Sequence, residues 1–182
     1  MNRTGTYVAF DGLGKTDPTQ SDFRYYSILQ AWNKNNDINF KFVDSHEKTY
    51  AVRDSSLRET LYARIRKRMS ASKNMLVILS DDTRYTGSVL SYEIQLAIEV
   101  YKIPVIIAYP GYPAILNVDA MAFMWPKSLV DRIDNPETKA IHIAFHKGPI
   151  FDAINQFTVN SNSLASGRDY YSREAYESWN LR

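Results

Sequence analysis

The sequence predicts an α/β protein with a parallel, doubly wound sheet of about five strands, covered by helices on both faces. Two observations support this fold class. Short apolar runs of the kind that fill buried parallel strands alternate with segments of helical periodicity. Residues 73–101 give the clearest example, because an apolar run, a polar turn and a periodic helical segment follow one another there.

Length and composition are those of one ordinary globular domain. The chain has 182 residues, of which 45% are hydrophobic and 23% charged, and this length allows a sizeable core. A net charge of +2 is too small to indicate a nucleic-acid partner. The chain has no cysteine, which excludes disulfides, thiolate metal ligands and a cysteine nucleophile. Because no signal peptide or membrane-spanning run is recognisable, we expect a cytoplasmic protein without a membrane partner.

The periodicity predicts the elements in chain order. Strands are expected over residues 6–10, 38–42, 75–79, 103–108 and 141–145. Helices are expected over residues 23–32, 57–69, 89–101, 128–133, 150–157 and 169–179. Residues 1–159 are assigned to the main domain and residues 160–182 to a C-terminal extension. That extension covers the sheet edge, mediates a dimer or is disordered, and the sequence leaves these alternatives open.

Glu93 is the main candidate for a catalytic residue. On a helical wheel of about 100° per residue it falls inside the apolar arc of its helix. The arc consists of Val89, Leu90, Leu96, Ala97 and Val100. Burying a carboxylate is costly, so Glu93 either reaches solvent at the rim, pairs with an arginine or faces a ligand cleft. The residue pattern alone leaves these three alternatives open.

The carboxyl edge of the sheet is the expected place for a ligand, since doubly wound folds bind ligands where the strand order reverses. This edge is expected to gather residues 10–15, 44–54, 80–88, 109–113 and 146–148, with Glu93 just beneath. Asp11–Thr16 partly resembles a phosphate-binding loop, but its first glycine is missing. His142 and His146 are predicted on one face of the fifth strand without a third ligand, so no metal site is expected.

Three consecutive segments also carry a family resemblance. They are LRETLYARIRKRMSASKNMLVILSDDT, SVLSYEIQLAIE and IPVIIAY. In this order a helix of the form I-x-x-x-[MI]-x-x-S precedes a strand ending in serine, and the next helix carries a glutamate followed by Ile or Leu. The chain therefore resembles the TIR-like domains of bacteria, and more closely the stand-alone TIR proteins of the Thoeris antiphage system. The resemblance covers residues 6–157 and implies a TIR-like, flavodoxin-like sheet.

What the resemblance implies is an enzyme that uses NAD as its substrate and needs no cofactor. TIR enzymes of this kind cleave the bond between nicotinamide and ribose. The Thoeris members cyclise the ADP-ribose into a signalling nucleotide that activates a separate NAD-consuming effector, and TIR domains self-associate. Glu93 matches the catalytic glutamate of the family. The residues expected to contact the nucleotide are Phe10, Asp11, Ser45 and Asp81.

The sequence departs from the family at one position. Many members carry a tryptophan four residues before the glutamate, where this chain has Val89. Either the aromatic platform for the nucleotide is therefore expected from Phe10, Tyr92 or Trp125, or a low basal activity is expected. Two other functions stay open, namely deoxyribosyl transfer between bases, as in nucleoside 2-deoxyribosyltransferases, and a TIR-type adaptor that binds partners through residues 44–54.

Overall fold

The protein forms an α/β sheet structure in a computed structural model that describes residues 3–12, 19, 21–34, 42–43, 55–83, 88–161 and 164–181. The strands are β1 (Gly5–Ala9), β2 (Phe42–Val43), β3 (Ser72–Ile78), β4 (Val105–Tyr109), β5 (Ala140–Ala144) and β6 (Asp169–Tyr170). The helices are α1 (Phe23–Lys34), α2 (Ser55–Ser70), α3 (Ser88–Gln95), α4 (Lys127–Val130), α5 (Lys147–Gln156) and α6 (Arg173–Ser178). Leu96–Val100 continue α3 as a π-helix, and Asp119–Met124 form a 3₁₀-helix.

The sheet is parallel throughout, in the order β2-β1-β3-β4-β5-β6. From β1 the chain runs outward to β2, and then crosses back to β3 on the other side of β1. This reversal between β1 and β3 is the switch point at which doubly wound sheets bind ligands. The predicted fold class is confirmed, and β6 extends the predicted set of strands at one edge.

Both faces of the sheet are covered, as the apolar strands require. Every residue of β1, β4 and β5 is buried. Alternate side chains enter two separate clusters, since Tyr7 packs with Ile65 on one face and Val8 packs with Tyr26 on the other. Burial on both faces explains why these strands are nearly continuous apolar runs.

The helix that carries Glu93 differs from the prediction in its second half. The wheel placed Val100 in the apolar arc, but Val100 is 60% exposed while Ile98 is buried. The reason is the π-helix, in which the Tyr101 amide donates to the carbonyl of Leu96, five residues earlier. Such a turn contains an extra residue, which rotates all later side chains around the helix axis. Glu93 precedes it and keeps its predicted face.

The C-terminal segment joins the same sheet. Asp169 and Tyr170 were predicted to be helical, but they pair with β5 as a strand. Ser172 then caps the shorter helix α6 by accepting a hydrogen bond from the Ala175 amide at 3.3 Å. The prediction was wrong here because a two-residue strand is too short to show a periodicity.

Two further elements are shorter than predicted. The helix expected over residues 128–133 ends as an α-helix at Val130 and continues as turns. His146 was predicted on the fifth strand, but β5 ends at Ala144 and His146 is the N-cap residue of α5. Of the predicted second strand, only Phe42 lies within the described residues. Among the helices of the described ranges, we find none with the length and apolar character needed to cross a membrane.

Candidate functional site

Glu93 lies beside β1, one of the two strands that flank the switch point. Its side chain is 2% exposed, and the Tyr7 hydroxyl donates a hydrogen bond to Glu93 Oε1 at 2.5 Å. Tyr7 belongs to β1 and is itself fully buried. Glu93 therefore neither reaches solvent nor pairs with an arginine within the described structure. Its carboxyl group is positioned by a tyrosine of the neighbouring strand.

Burial changes the protonation of this carboxyl group. Desolvation raises the pKa of Glu93 to about 8, the hydrogen bond from Tyr7 opposes part of this rise, and the negative charge of Asp11 adds to it. Burial has the largest effect because it disfavours the charged form. In the free protein Glu93 is therefore mostly protonated at neutral pH. Its pKa is close enough to neutrality for a bound ligand to change its charge.

Asp22 is a second buried carboxyl group at the same switch point. It precedes the first residue of α1 and is 1% exposed. The Thr83 hydroxyl donates to Asp22 Oδ2 at 2.5 Å, and the Ser80 amide donates to Thr83 Oγ1 at 2.9 Å. Ser80 and Thr83 follow β3, so these bonds tie the start of α1 to the loop after β3.

Asp22 also has a raised pKa. Burial raises the pKa to about 6, the Ser80 and Thr83 hydroxyls lower it, and the charges of Asp11 and Asp82 raise it. No sequence pattern singles out Asp22 as a site residue. Its position after Ser21 and before an apolar periodic segment is typical of a helix cap, and a single sequence gives no sign that such a carboxyl group is buried.

Asp11 acts electrostatically on both buried carboxyl groups. It follows β1 and is half-buried, and its charge raises the pKa of both Glu93 and Asp22. We call the group of Tyr7, Asp11, Asp22, Thr83 and Glu93 the switch-point site. Within the described ranges, no three His, Cys, Asp or Glu residues are arranged so that they could hold a metal ion.

The other predicted nucleotide contacts are spread out. Phe10 is 3% exposed, and its ring stacks on Tyr26 with centroids 4.9 Å apart. Asp81 is exposed in the loop after β3, and Ser45 lies outside the described residues. The roles of Phe10, Asp11, Ser45 and Asp81 in binding stay predictions. Stacking of a base on Phe10 would require displacement of its present neighbours.

The two other predicted aromatic platforms also have partners. Tyr92 packs on Tyr62 with ring centroids 4.3 Å apart, and its hydroxyl accepts a hydrogen bond from Arg66 at 2.8 Å. Trp125 is buried, and its indole N–H donates to the Tyr109 hydroxyl at 2.8 Å. Of the three candidates, Tyr92 alone is partly exposed.

A second buried polar group lies at the far side of the sheet. The Tyr109 hydroxyl donates to His142 Nδ1 at 2.7 Å, and His142 Nε2 donates to the carbonyl of Gly167 at 3.0 Å. The carbonyl can only accept, which fixes the neutral tautomer with the proton on Nε2. Burial lowers the pKa of His142 to about 4. We call Tyr109, Trp125, His142 and Gly167 the aromatic network, and it identifies His142 as a core histidine.

The C-terminal segment covers the carboxyl end of β5. The amide of Ala144 donates to the Tyr176 hydroxyl at 3.1 Å. Trp179 packs on Gly148 so closely that a Cβ atom there would lie 2.6 Å from Trp179 Cγ. Of residues 146–148, predicted to belong to the ligand edge, Gly148 is thus packed against the C-terminal segment.

A comparison with protein families matches residues 7–114 to the TIR-like domain of the Thoeris protein ThsB. The matched region is more than half of the 182 residues. It runs from β1 past the end of β4 and includes every residue of the switch-point site. His142, Gly167 and the C-terminal segment lie beyond it.

Proposed function

Because the chain belongs to the TIR-like domain family of the Thoeris protein ThsB, we propose that it cleaves NAD and cyclises the ADP-ribose part into a signalling nucleotide of antiphage defence. NAD is the substrate, and no resident cofactor takes part. One observation carries the proposal. The buried carboxyl group of Glu93, with a pKa raised to about 8, is hydrogen-bonded to β1, which flanks the switch point where sheets of this class bind nucleotides.

The chemistry requires a carboxylate beside the ribose. When the bond between nicotinamide and ribose breaks, its electron pair leaves with nicotinamide as a neutral group, and the ribose carbon acquires oxocarbenium character. A carboxylate that binds the ribose hydroxyls or faces the developing charge stabilises this state, as in glycoside cleavage. Because Glu93 is buried, its interaction with that charge is weakly screened.

Cyclisation needs an acceptor from the same nucleotide. A hydroxyl oxygen of the ADP-ribose part forms the new bond to the ribose carbon and releases its proton to solvent, and water is the competing acceptor. Exclusion of water from the site therefore favours the cyclic product over free ADP-ribose. The cyclic nucleotide then diffuses to a separate effector, in keeping with a family that belongs to a defence system with other components.

Tyr7 has a positioning role in this proposal. Its hydroxyl donates to Glu93 Oε1 and keeps the pKa of Glu93 from rising further. The positive charge of the NAD nicotinamide ring favours the ionised form of a neighbouring carboxyl group. NAD binding should therefore release a proton from Glu93 and produce the carboxylate that the bond cleavage needs.

The test is nucleotide analysis of phage-infected cells that express wild type, Glu93→Gln or Glu99→Gln. Glu99 is the matched control, because it lies on the same helical segment but is exposed and bound to Arg132 at 2.8 Å. Mass spectrometry should detect NAD loss and a cyclic ADP-ribose species in wild type and Glu99→Gln, and neither change in Glu93→Gln. A filtrate of the wild-type lysate should also activate the effector.

The same experiment separates the other functions. If Glu93→Gln protects cells as well as wild type and no new nucleotide forms, the protein acts as an adaptor, and charge reversals in residues 44–54 should abolish protection. If the purified protein exchanges bases between deoxynucleosides and leaves NAD intact, it is a deoxyribosyl transferase. Either result contradicts the proposal.

A further inference from the structure

One oxygen of the buried Asp22 carboxyl group has no partner. Asp22 Oδ2 accepts a hydrogen bond from Thr83, whereas Oδ1 has no hydrogen-bond partner within the described ranges. The Ser80 hydroxyl lies close enough to lower the pKa of Asp22, but it makes no hydrogen bond to Oδ1. An unsatisfied buried acceptor is costly, and native proteins keep few of them.

The orphan oxygen differs from the other such atom in the described structure. That atom, Ser128 Oγ, is a neutral hydroxyl of α4. Asp22 carries a titratable carboxyl group, and desolvation of a charged oxygen is far more costly than that of a hydroxyl. The Asp22 oxygen is therefore the one that calls for a donor.

The position of Asp22 indicates the source of that donor. Asp22 precedes α1 and is bound to Thr83 in the loop after β3, so it spans the switch point. The Ser21 hydroxyl, next to Asp22 in the chain, donates to the Gly12 carbonyl at 3.1 Å, which places Asp22 beside the loop after β1 as well. A ligand bound across the carboxyl ends of β1 and β3 therefore lies close enough to Asp22 to supply a donor.

We propose that Asp22 is a second ligand-binding residue of this site, and that its Oδ1 accepts a hydrogen bond from a ribose hydroxyl of the bound nucleotide. Oδ2 stays with Thr83, which fixes the direction of the free oxygen. This inference rests on the proposed function, because NAD supplies the ribose. Hydrogen bonds from a hydroxyl to a carboxylate are short and strong, and losing one weakens binding by about 10- to 100-fold. Both riboses of NAD have hydroxyl groups that can donate this hydrogen bond.

In the experiment, NAD binding is measured by calorimetry in the Glu93→Gln variant, because this variant should not cleave the NAD during the measurement. Asp22→Asn in that background preserves shape and an acceptor for Thr83, but places an amide donor where Oδ1 was. We expect it to raise the Kd for NAD by about 10- to 100-fold. NAD analogues that lack ribose hydroxyls on the nicotinamide side or on the adenine side identify the ribose. The relevant analogue should bind weakly and equally to both variants.

Thr83→Val is the control for a merely structural role. It removes the hydrogen bond to Oδ2 and leaves Oδ1 in place. If Asp22 acted only by holding the loop, Thr83→Val and Asp22→Asn would weaken NAD binding equally, and no analogue would discriminate between them. That result would overturn the assignment, provided that circular dichroism shows all variants folded.

The two proposals fail in different ways. An unchanged Kd for NAD in Asp22→Asn means that Oδ1 does not bind the nucleotide, which overturns the role of Asp22 and leaves the proposed NAD cleavage untouched. Absence of NAD binding to Glu93→Gln, combined with no NAD loss in wild type, overturns both.

Discussion

The switch-point site and the aromatic network each bury a titratable side chain, Glu93 and His142, that is mostly neutral at pH 7 because burial shifts the two pKa values in opposite directions. In the network, burial lowers the pKa of His142 to about 4, and both ring nitrogens are hydrogen-bonded. In the site, burial raises the pKa of Glu93 to about 8, and Asp22 keeps an oxygen without a partner in the described structure.

The difference separates a structural role from a ligand-binding role. The pKa of His142 is far from neutral pH and its donors and acceptors are satisfied, so a ligand would find nothing to bind. The pKa of Glu93 is near neutral pH, and a small change in its surroundings changes its charge. Buried polar groups whose hydrogen bonds are all satisfied stabilise the fold. Buried polar groups that keep an unsatisfied atom, or a pKa near neutral pH, are candidates for function.

The largest effect is expected from Glu93→Gln on catalysis. The substitution keeps the shape of the side chain but cannot supply a negative charge, so turnover of NAD should fall by about 1,000-fold or more. Steady-state assays by mass spectrometry measure this loss. His142→Phe serves as the control from the network, and its residual folded protein should turn over NAD at the wild-type rate.

Glu93→Gln should also stabilise the folded protein at neutral pH, whereas it should strongly reduce catalysis. The pKa of Glu93 is raised from 4.5 to about 8 on folding, so the folded state binds more protons, and wild-type stability falls as pH rises from about 4.5 to 8. The ceiling of this loss is on the order of 5 kcal/mol. The free energy of unfolding of Glu93→Gln, measured by urea denaturation, should not show this pH-dependent loss. If the free energies of unfolding of the two proteins depended on pH in the same way, the carboxyl group of Glu93 would not be desolvated in the folded protein.

His142→Phe should have the opposite effects, because it should lower the stability of the protein and leave NAD turnover unchanged. It leaves the Gly167 carbonyl and the Tyr109 hydroxyl without their partner, and each unsatisfied buried group costs about 1 to 3 kcal/mol. Urea denaturation should show a loss of roughly 2 to 4 kcal/mol. A loss of NAD binding without a loss of stability would assign the network to the site instead.

Gly167→Ala tests the same network through the backbone. A Cβ atom at this position would lie 2.1 Å from the carbonyl oxygen of Ile133, and backbone cannot yield as a side chain does. We expect a loss of about 1 to 3 kcal/mol in the free energy of unfolding. Gly148→Ala is the comparison, because it meets the Trp179 side chain and should cost less. Equal losses would show that the backbone at Ile133 adapts.

Tyr7→Phe should have the smallest effect. It removes the hydrogen bond that lowers the pKa of Glu93, so that pKa should rise. The pH at which kcat/KM reaches half its maximum should then move upward, with a loss of a few-fold to about 10-fold in rate at pH 7. A change in the maximum alone, without a shift along the pH axis, would limit Tyr7 to a packing role.

Much of the fold was predictable because it follows from periodicity. The buried strands are apolar on both faces, and Glu93 was identified because it lies before the π-helix, where a regular wheel still holds. Val100 was misplaced because it is the last residue of that turn. The π-helix itself leaves no sign in a single sequence.

The partners of the buried polar groups could not be predicted. Tyr7 and Glu93 are 86 residues apart, and Asp22 and Thr83 are 61 residues apart. Each of these side chains has an ordinary local explanation as part of a strand, cap or turn. Only the packing of the sheet brings them together, which is why Asp22 was missed.

The pH dependence of kcat/KM for NAD, measured with the purified protein from pH 6 to 9, tests most directly whether the buried carboxyl group of Glu93 is the catalytic centre. We predict that kcat/KM rises about 10-fold per pH unit and levels off near the pKa of about 8, with the same profile in Glu99→Gln and turnover lower by about 1,000-fold or more in Glu93→Gln. NAD cleavage by Glu93→Gln at the wild-type rate, or a flat wild-type profile, would contradict this account.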